Sequence, residues 1–558
     1  MRPIALLAFL VACQSKGETA TADGALVTAL EIDPVEVTIT SGPDAQGTVQ
    51  FEAIATFTDG TTGVMEQLVS WDISSQAAGT IDDEGLFLAT TENGAITTVT
   101  ASHNNIVASA VANIIYTETI DDGGGSAEDY DGTPSDTLDW LYPETNVAVP
   151  RNVPSLTFMW EEVDGADGYR LTFSTDTTNV TALLTENNYT VEAEGWVAIA
   201  ATNAGGTVDV EVRAVAGGTL YGSETLTLNV NRLDAQGSIY YWSTTDEGLI
   251  KVEISATEGD LFYAPRLNAP TCVACHVIRE DRMAVTYGGG GSQYFYTGIT
   301  ELTESNPTEL TDRDEYGFYN TMNPDGTLLI STTGDGGLTL WDAQSAEKID
   351  SLDTGELFLT QPDWSPAGDM LAAISVTQPP AECGPYAYDV CFVNGELVVA
   401  MIDEDGNLGE FTTLYDPDEM DVDDSVGPMN VFYPSISPDG EWIAFNTGYG
   451  NSYDNEYASL NVISIDGGDL IPMDNANMDE QLTNSWPHWG PLPDDDVYWL
   501  TFSSKRDYGD MVTDGRPQIW VAAFHPELAE EGSDPSSPAF WLPNQDMETS
   551  NHSTFWGP

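Results

Sequence analysis

The residues with the most distinctive chemistry lie together in one short stretch, Cys272-Val273-Ala274-Cys275-His276. Two thiols three positions apart, followed at once by an imidazole, can attach a haem covalently and ligate its iron. The same residues could instead form a tight disulfide beside an ordinary histidine. The organisation of the rest of the chain has to decide between these two interpretations.

The N-terminus predicts export. Met1-Arg2 is followed by an apolar run from Ile4 to Val11, which is too short to span a bilayer as a permanent helix and is typical of a signal peptide. The residues Leu10 to Cys13 resemble a bacterial lipobox. That resemblance implies cleavage before Cys13, a diacylglycerol on its sulfur, and a membrane attachment through this anchor. The alternative is a plain secretory signal with a chance cysteine.

The cysteine count agrees with this prediction, because five is an odd number for an exported protein. Lipidation of Cys13 leaves two pairs, Cys272 with Cys275 and Cys383 with Cys391. In an oxidising compartment the second pair is most simply a loop disulfide, with free thiols as the alternative. By analogy with enteric bacteria, Gln14 favours the outer membrane, on its periplasmic or cell-surface face. Residues 14–24 are polar and predict a flexible tether.

The charge balance excludes one class of partner. Lys and Arg total 15 against 91 Asp and Glu, for a formal net charge of -76. Such a surface repels phosphate backbones, so we expect no nucleic-acid partner. Calcium binding by acidic loops is one explanation of the excess, and adaptation to a saline, halophilic habitat is the other. We favour the saline habitat because the carboxylates are spread along the whole chain.

Two segments predict β-sandwiches. Residues 25–118 alternate apolar and polar residues in short runs broken by turns, the period of half-buried strands, and they resemble a bacterial Ig-like domain. Residues 140–232 resemble a fibronectin type III domain, through Phe158-Met159-Trp160 and the run from Gly165 to Leu171. Between them, residues 119–139 are rich in glycine and acids, which predicts a linker with nothing to bury.

The segment 236–558 contains a repeat. Pro434 to Phe445 is the clearest copy, with further copies beginning at Pro362, Asn320 and Pro487. Each predicts a strand, a tight turn of the Pro-Asp-Gly type and an apolar strand, which resembles the blades of TolB-like propellers. Aligning the stretch from Cys275 and the C-terminal residues 554–558 with these copies gives six blades closed by both ends. The predicted fold class is all-β: two β-sandwich modules followed by a six-bladed β-propeller.

The spacing Cys-x-x-Cys-His resembles the haem attachment site of c-type cytochromes. That resemblance implies that Cys272 and Cys275 carry haem c and that His276 is the proximal ligand. The repeat alignment places His276 and His488 at equivalent blade positions, so His488 is the first candidate for the distal ligand, followed by His552 and Met322. A zinc or other metal site with His276 and His488 is the disfavoured alternative, since residues typical of a zinc fold are not clustered.

Three functions remain open. The first is a surface-anchored lipoprotein whose propeller binds an unknown protein or saccharide partner. The second is a c-type haem protein for extracytoplasmic electron transfer or redox sensing. The third, a propeller hydrolase, finds little support because no Gly-x-Ser-x-Gly or His-Glu-x-x-His motif is present. We therefore favour a protein that is not an enzyme.

Overall fold

The structure is a computed structural model that describes residues 25–65, 68–191, 193–263, 272–288, 295–302, 308–311, 317–376, 392, 394–417, 429–491 and 497–557. The predicted signal peptide, the predicted lipidation site Cys13 and the predicted Cys383–Cys391 disulfide lie outside these residues. The chain divides into two compact units, Met1–Thr119 with Asp176–Val180, and Ile120–Thr175 with Thr181–Pro558. In the described part of the chain, no helix is long and apolar enough to cross a membrane.

The first unit is built from short sheets, as the alternating pattern predicts. One sheet has the order β1-β4-β5, a second has the order β3-β8-β7, and in a third β10 lies between β9 and a parallel β2, with β6 beyond β9. Inward-facing side chains such as Phe51, Phe87 and Val99 form the core between them. The strands are β1 Val27–Asp33, β2 Glu36–Ser41, β3 Thr48–Gln50, β4 Glu52–Phe57, β5 Thr62–Val64, β6 Ser70–Ile73, β7 Gly79–Ile81, β8 Leu86–Ala89, β9 Ala95–His103 and β10 Ile106–Asp121, with a 3-10 helix at Gln76–Ala78.

The second unit begins with another set of sheets, where the second sandwich was predicted. One sheet has the order β12-β14-β17, and in the other β18 lies between β15 and β19, with β20 pairing a further stretch of β18. The elements are β11 Asp136–Thr137, β12 Trp140–Tyr142, β13 Ala148–Val149, β14 Leu156–Trp160, β15 Ala166–Ser174, β16 Thr178–Leu184, β17 Asn188–Val191, α1 Ala193–Thr202, β18 Gly206–Ala216, β19 Thr219–Gly222 and β20 Leu226–Val230.

Residues 119–139 bury a side chain, contrary to the prediction of a linker with nothing to bury. A 3-10 helix at Ala127–Tyr130 buries Tyr130, whose hydroxyl donates a hydrogen bond to the carbonyl of Gly124. Arg170 donates to the carbonyl of Ala127 and forms an ion pair of 2.9 Å with Asp131. Strand β11 pairs with β19 of the sandwich. The prediction was wrong because one buried tyrosine and the sandwich's own arginine anchor a segment whose other residues are polar.

Within the described residues, six four-stranded antiparallel sheets follow, which confirms the six-bladed propeller. From the innermost strand outward, blade 1 contains β44 Asn551–Gly557, β21 Ser238–Ser243, β22 Gly248–Glu253 and β23 Asp260–Tyr263. Blade 2 contains β24 Cys272–Arg279, β25 Arg282–Gly288, β26 Phe295–Glu301 and β27 Thr308–Glu309. Blade 3 contains β28 Asn320–Met322, β29 Leu328–Thr332, β30 Leu338–Asp342 and β31 Lys348–Ser351.

The remaining three blades repeat this arrangement. Blade 4 contains β32 Phe358–Trp364, β33 Met370–Val376, β34 Glu396–Met401 and β35 Thr412–Tyr415. Blade 5 contains β36 Met429–Ile436, β37 Trp442–Tyr449, β38 Ser459–Ser464 and β39 Ile471–Pro472, and blade 6 contains β40 Ser485–Trp489, β41 Tyr498–Ser504, β42 Gln518–Phe524 and β43 Phe540–Trp541. Two short helices, α2 Asp474–Asn477 and α3 Pro526–Glu530, lie in their loops.

The ring is closed by both ends of the propeller segment. The C-terminal strand β44 pairs antiparallel with β21, from Ser238 opposite Gly557 to Ser243 opposite Asn551. Each innermost strand contacts the innermost strands of both neighbouring blades, including β44 with β24. Closure of this kind joins the first and last strands of the propeller segment in one blade, so that only the short outer strands of the blades remain as sheet edges. The six innermost strands therefore surround one central hub.

The second sandwich is packed directly against the propeller within the second unit. Tyr142 of the sandwich and Tyr508 of blade 6 are both buried, with ring centroids 4.8 Å apart, and Tyr508 stacks on Trp541 at 4.3 Å. The backbone N–H of Trp541 donates to the Tyr142 hydroxyl at 3.0 Å. Asn187 donates a further hydrogen bond to Asp510 at 3.0 Å. Buried aromatic rings and hydrogen bonds therefore hold the second sandwich against the propeller, whereas a simple spacer would make no such contacts.

Candidate ligand site at the propeller hub

Equivalent positions of the six innermost strands meet at one level of the hub. Strand pairing sets the register, as in Asp363 opposite Ala372, Ser435 opposite Ala444 and His488 opposite Thr501. We call the six equivalent residues the hub ring, which in order around the axis consists of Phe555, His276, Thr321, Asp363, Ser435 and His488. The predicted equivalence of His276 and His488 is therefore present in the strand register.

A β-bulge precedes the hub ring in five of the six innermost strands, where the pairing register shifts. In four of them a residue other than glycine takes a positive φ, namely 51° at Gln361, 54° at Tyr433, 61° at Trp486 and 46° at Ser553. Such conformations cost about 1–3 kcal/mol each and persist only where the surroundings enforce them. Strained backbone conformations of this kind are often found at ligand-binding sites.

The bulges direct side chains over the hub. Tyr433 and Trp486 stack with ring centroids 3.8 Å apart, and Tyr319 lies 6.0 Å from Tyr433 with the two hydroxyls 3.4 Å apart. Gln361 is held by the backbone N–H of Tyr433, which donates to its carbonyl oxygen at 2.6 Å. Together these residues form an aromatic roof, made of Tyr319, Tyr433 and Trp486, above the hub ring.

A cavity of about 90 Å³ lies between the aromatic roof and the hub ring. Its walls include His276, Asp363, His488 and Phe555, together with Cys275 from the sequence motif. The cavity has room for several water molecules or a small chemical group. The site is small and polar, with one aromatic wall.

The two histidines stand on either side of Phe555. The ring centroid of His488 is 4.1 Å from that of Phe555, and the ring centroid of His276 is 6.5 Å from it. His488 Nδ1 lies 3.2 Å from the carbonyl of Trp489, which can only accept, so Nδ1 carries the proton. Burial, together with the positive charge of Arg279 and the neighbouring His276, lowers the pKa of His488 to about 3. At neutral pH His488 is therefore uncharged, and its Nε2 is an acceptor.

Two opposite charges interact beside the histidines. Arg279, at the end of β24, places its guanidinium 5.0 Å from the Phe555 ring centroid and interacts electrostatically with Asp363. Burial raises the pKa of Asp363 to about 6, against the opposing effects of Arg279 and of the hydrogen bond of 2.7 Å that Asp363 accepts from the N–H of Ile436. Thr321 accepts the equivalent bond from the N–H of Trp364 at 2.9 Å. The hub ring thus links neighbouring blades while it lines the cavity.

The other predicted ligands do not line the hub cavity. His552 packs beside Trp242 with ring centroids 5.8 Å apart, and burial lowers its pKa to about 4. Met322 follows a hub-ring residue and therefore faces the other way, into the apolar core between blades. Among the described residues, no group of three or more His, Cys, Asp or Glu side chains could hold a metal ion. The metal-ligand role of His276 and His488, and bound calcium, stay predictions.

The structure adds residues that the sequence argument did not name. Asp363 and Phe555 occupy the hub ring, and the alignment that paired His276 with His488 contains both of them. Arg279 lies three residues after His276 in the same strand, but only the structure shows its contact with Phe555. Two residues of the aromatic roof, Tyr433 and Trp486, lie at bulges, which leave no clear signal in a single sequence.

No family model matches this chain, and no curated protein matches it. Solved structures with a similar fold include TolB from Acinetobacter baumannii, with 12% identity and a TM-score of 0.38 over 63% of this chain and 79% of TolB. They also include the Cps50 (Swd1) β-propeller domain of Myceliophteria thermophila, with 13% identity and a TM-score of 0.32 over 57% of this chain and 90% of that domain. A third is the hydrazine synthase of Kuenenia stuttgartiensis, with 14% identity and a TM-score of 0.28 over 48% of this chain and 65% of that chain. These likenesses concern the fold alone.

Proposed function

We propose that the protein is an exported, lipid-anchored binding protein whose propeller takes a ligand, or a segment of a partner, at the hub cavity. The observation that carries this proposal is the convergence of His276, Asp363, His488 and the aromatic roof on one cavity. The strained bulges support it, because the chain holds unfavourable backbone conformations at the level of that cavity. Anchoring rests on the sequence around Cys13.

Ligand binding is tested by thermal unfolding with a panel of amino acids, dipeptides, and neutral and acidic monosaccharides. We expect at least one probe to raise the unfolding midpoint of the wild type and of a Trp140→Leu variant in the second sandwich, but not that of a Trp486→Leu variant in the aromatic roof. Stabilisation that is equal in all three proteins would place binding elsewhere. A panel that stabilises none of them contradicts hub binding.

Anchoring is tested separately by expressing the full chain in a Gram-negative host. We expect the protein in the membrane fraction and a Cys13→Ala variant in the soluble periplasmic fraction. Equal distribution of the two proteins would contradict the lipid anchor and would leave the hub proposal untouched.

A second candidate function is electron transfer or redox sensing by haem c, which the placement of His276 and His488 at one level favours. A haem would supply a one-electron couple. The hub as described does not fit a tetrapyrrole, because its cavity of about 90 Å³ is far below the ~300 Å³ at which pockets for drug-sized ligands begin. His276 Nε2 also lies 3.4 Å from the carbonyl of Tyr240, with which it hydrogen-bonds. This candidate rests on the motif from Cys272 to His276.

The visible absorption spectrum decides the haem question. Protein made in a host with the haem attachment machinery should show haem bands that survive denaturation, and a Cys275→Ala variant should weaken the covalent attachment. A wild-type spectrum without these bands contradicts the candidate.

A further inference from the structure

The wall of the hub cavity has a single charged side chain. Among the described residues that line the cavity, Asp363 is the only Asp, Glu, Lys or Arg. Its Oδ2 accepts the N–H of Ile436 at 2.7 Å, and no donor in the described part of the chain bonds to its Oδ1. Arg279 does not line the cavity and acts on Asp363 from a distance. One carboxylate oxygen in the wall is therefore left to bond a ligand.

Three other polar side chains of the wall supply no donor to a ligand. The Nδ2 of Asn320 donates to Thr286 Oγ1 at 3.0 Å and to the carbonyl of Phe318 at 3.3 Å, while its buried Oδ1 has no donor among the described residues. His276 and His488 each direct a ring nitrogen at a backbone carbonyl, at 3.4 Å and 3.2 Å, so the one N–H of a neutral ring is already used. A ligand that brings its own N–H donors therefore suits this wall.

Aromatic rings form much of the remaining wall. The three rings of the aromatic roof and the ring of Phe555 all line the cavity. The face of an aromatic ring attracts a cation that lies within about 6 Å of the ring centroid. Trp486 is half-buried, so its stack on Tyr433 leaves part of the ring exposed. The rings also offer apolar surface to methylene groups. A carboxylate together with aromatic rings is a combination that suits an organic cation.

We propose that the hub cavity binds a primary ammonium group of the ligand, which donates to Asp363 Oδ1 and rests its alkyl carbon against the aromatic roof. This inference rests on the proposed hub-binding function and names its ligand class. An ammonium group and its neighbouring carbon are small enough for a cavity of about 90 Å³. The bound cation would also offset the cost of burying the Asp363 charge, which Arg279 reduces only from a distance.

Two other ligand classes suit the wall less well. An anion would meet the Asp363 carboxylate, and the described residues that line the cavity include no Lys or Arg to hold it. A quaternary ammonium could contact the aromatic rings but has no N–H, so Asp363 Oδ1 would stay without a hydrogen bond. Acetate and tetramethylammonium serve as probes of these two classes.

The test compares ethylammonium with ethanol, which has the same number of heavy atoms but no charge, and with acetate and tetramethylammonium. Binding is followed by NMR saturation transfer from the protein to the methyl protons of each probe. The ionic strength is high and constant, because a net charge of -76 attracts cations to the whole surface. We expect saturable binding of ethylammonium and of none of the other three. Tighter binding of N-acetyl-lysine amide than of ethylammonium would indicate a lysine of a partner, and weaker binding a free amine.

Two variants locate the site. Asp363→Asn keeps an oxygen for the N–H of Ile436 and should weaken ethylammonium binding by about tenfold or more. Asp164→Asn, at an exposed carboxylate in a turn of the second sandwich, changes the net charge equally and should leave binding unchanged. If Asp363→Asn fails to fold, the four probes compared on the wild type and on Trp486→Leu still decide.

The inference is overturned if the wild type does not bind ethylammonium, or if Asp363→Asn and Asp164→Asn bind it alike. It is also overturned if ethanol, acetate or tetramethylammonium binds in its place to the wild type but not to Trp486→Leu. In that last case the hub still binds a ligand, and only the assignment of an ammonium group fails.

Discussion

The ionised form of Asp363 should destabilise the propeller at neutral pH, which makes Asp363→Asn a stabilising substitution there. Burial raises the pKa of this carboxyl from 3.8 to about 6, even with Arg279 nearby. A raised acid pKa means that the folded state holds its proton more tightly than the unfolded state. Stability from this group is therefore highest below pH 4, falls as the pH rises from about 4 to about 6, and stays low above that.

The size of the effect follows from the pKa difference. A tenfold change in proton affinity is worth about 1.4 kcal/mol, so a change from 3.8 to about 6 corresponds to about 3 kcal/mol. Asparagine resembles the protonated acid in shape and keeps an oxygen that can accept the N–H of Ile436. We expect Asp363→Asn to match the wild type near pH 4 and to exceed its free energy of unfolding by up to about 3 kcal/mol at pH 7.

The assay is urea unfolding of both proteins at several values between pH 4 and pH 7.5, at constant ionic strength. The difference between the two curves removes the contribution of the other carboxylates. Asp363→Ala is the matched comparison, because it should show the same dependence on pH but lie about 1–3 kcal/mol lower throughout, having lost the acceptor for Ile436. Parallel curves for the wild type and Asp363→Asn would refute the argument from burial.

Three further predictions concern packing and charge. Tyr142→Phe removes the acceptor of the Trp541 N–H and should lower the free energy of unfolding in urea by about 1–3 kcal/mol; an unchanged value would show that this contact does not hold the sandwich to the propeller. Gly124→Ala places a Cβ into the backbone of Leu184 and should lower the same quantity by about 1–3 kcal/mol, whereas a solvated linker would tolerate it. Because the net charge is -76, the unfolding midpoint measured by calorimetry should rise from low to molar salt as self-repulsion is screened, and a flat dependence contradicts this.

The propeller could be predicted because its signal is repeated. A Pro-Asp-Gly type of turn requires particular residues, as in Ser437-Pro438-Asp439-Gly440, where Gly440 has a φ of 78°. Repetition of this turn sets the register of each blade. The same register predicts that His276 and His488 lie at one level.

The segment 119–139 could not be predicted in the same way. Its composition is that of a linker, and only the hydrogen bonds from Arg170 and Arg213 to the carbonyl of Tyr130, and the ion pair of Arg170 with Asp131, show that it is anchored to the sandwich. Such contacts are single events between residues far apart in sequence. An argument from composition considers only the average character of a segment. It therefore misses a single buried side chain that determines the segment's conformation.

At the hub, the positions of the residues could be predicted from the sequence, whereas their charge states could not. Alternation along a strand determines that His276 and Asp363 face the axis, and the repeat determines that they do so at one level. The charge state of the site depends instead on how much water reaches it, which follows from the aromatic roof and the closure of β44 on β21. With that water excluded, the pKa of His488 falls to about 3 and that of Asp363 rises to about 6. Burial therefore shifts both groups towards their neutral forms: His488 is uncharged at neutral pH, whereas Asp363 keeps its proton only below about pH 6.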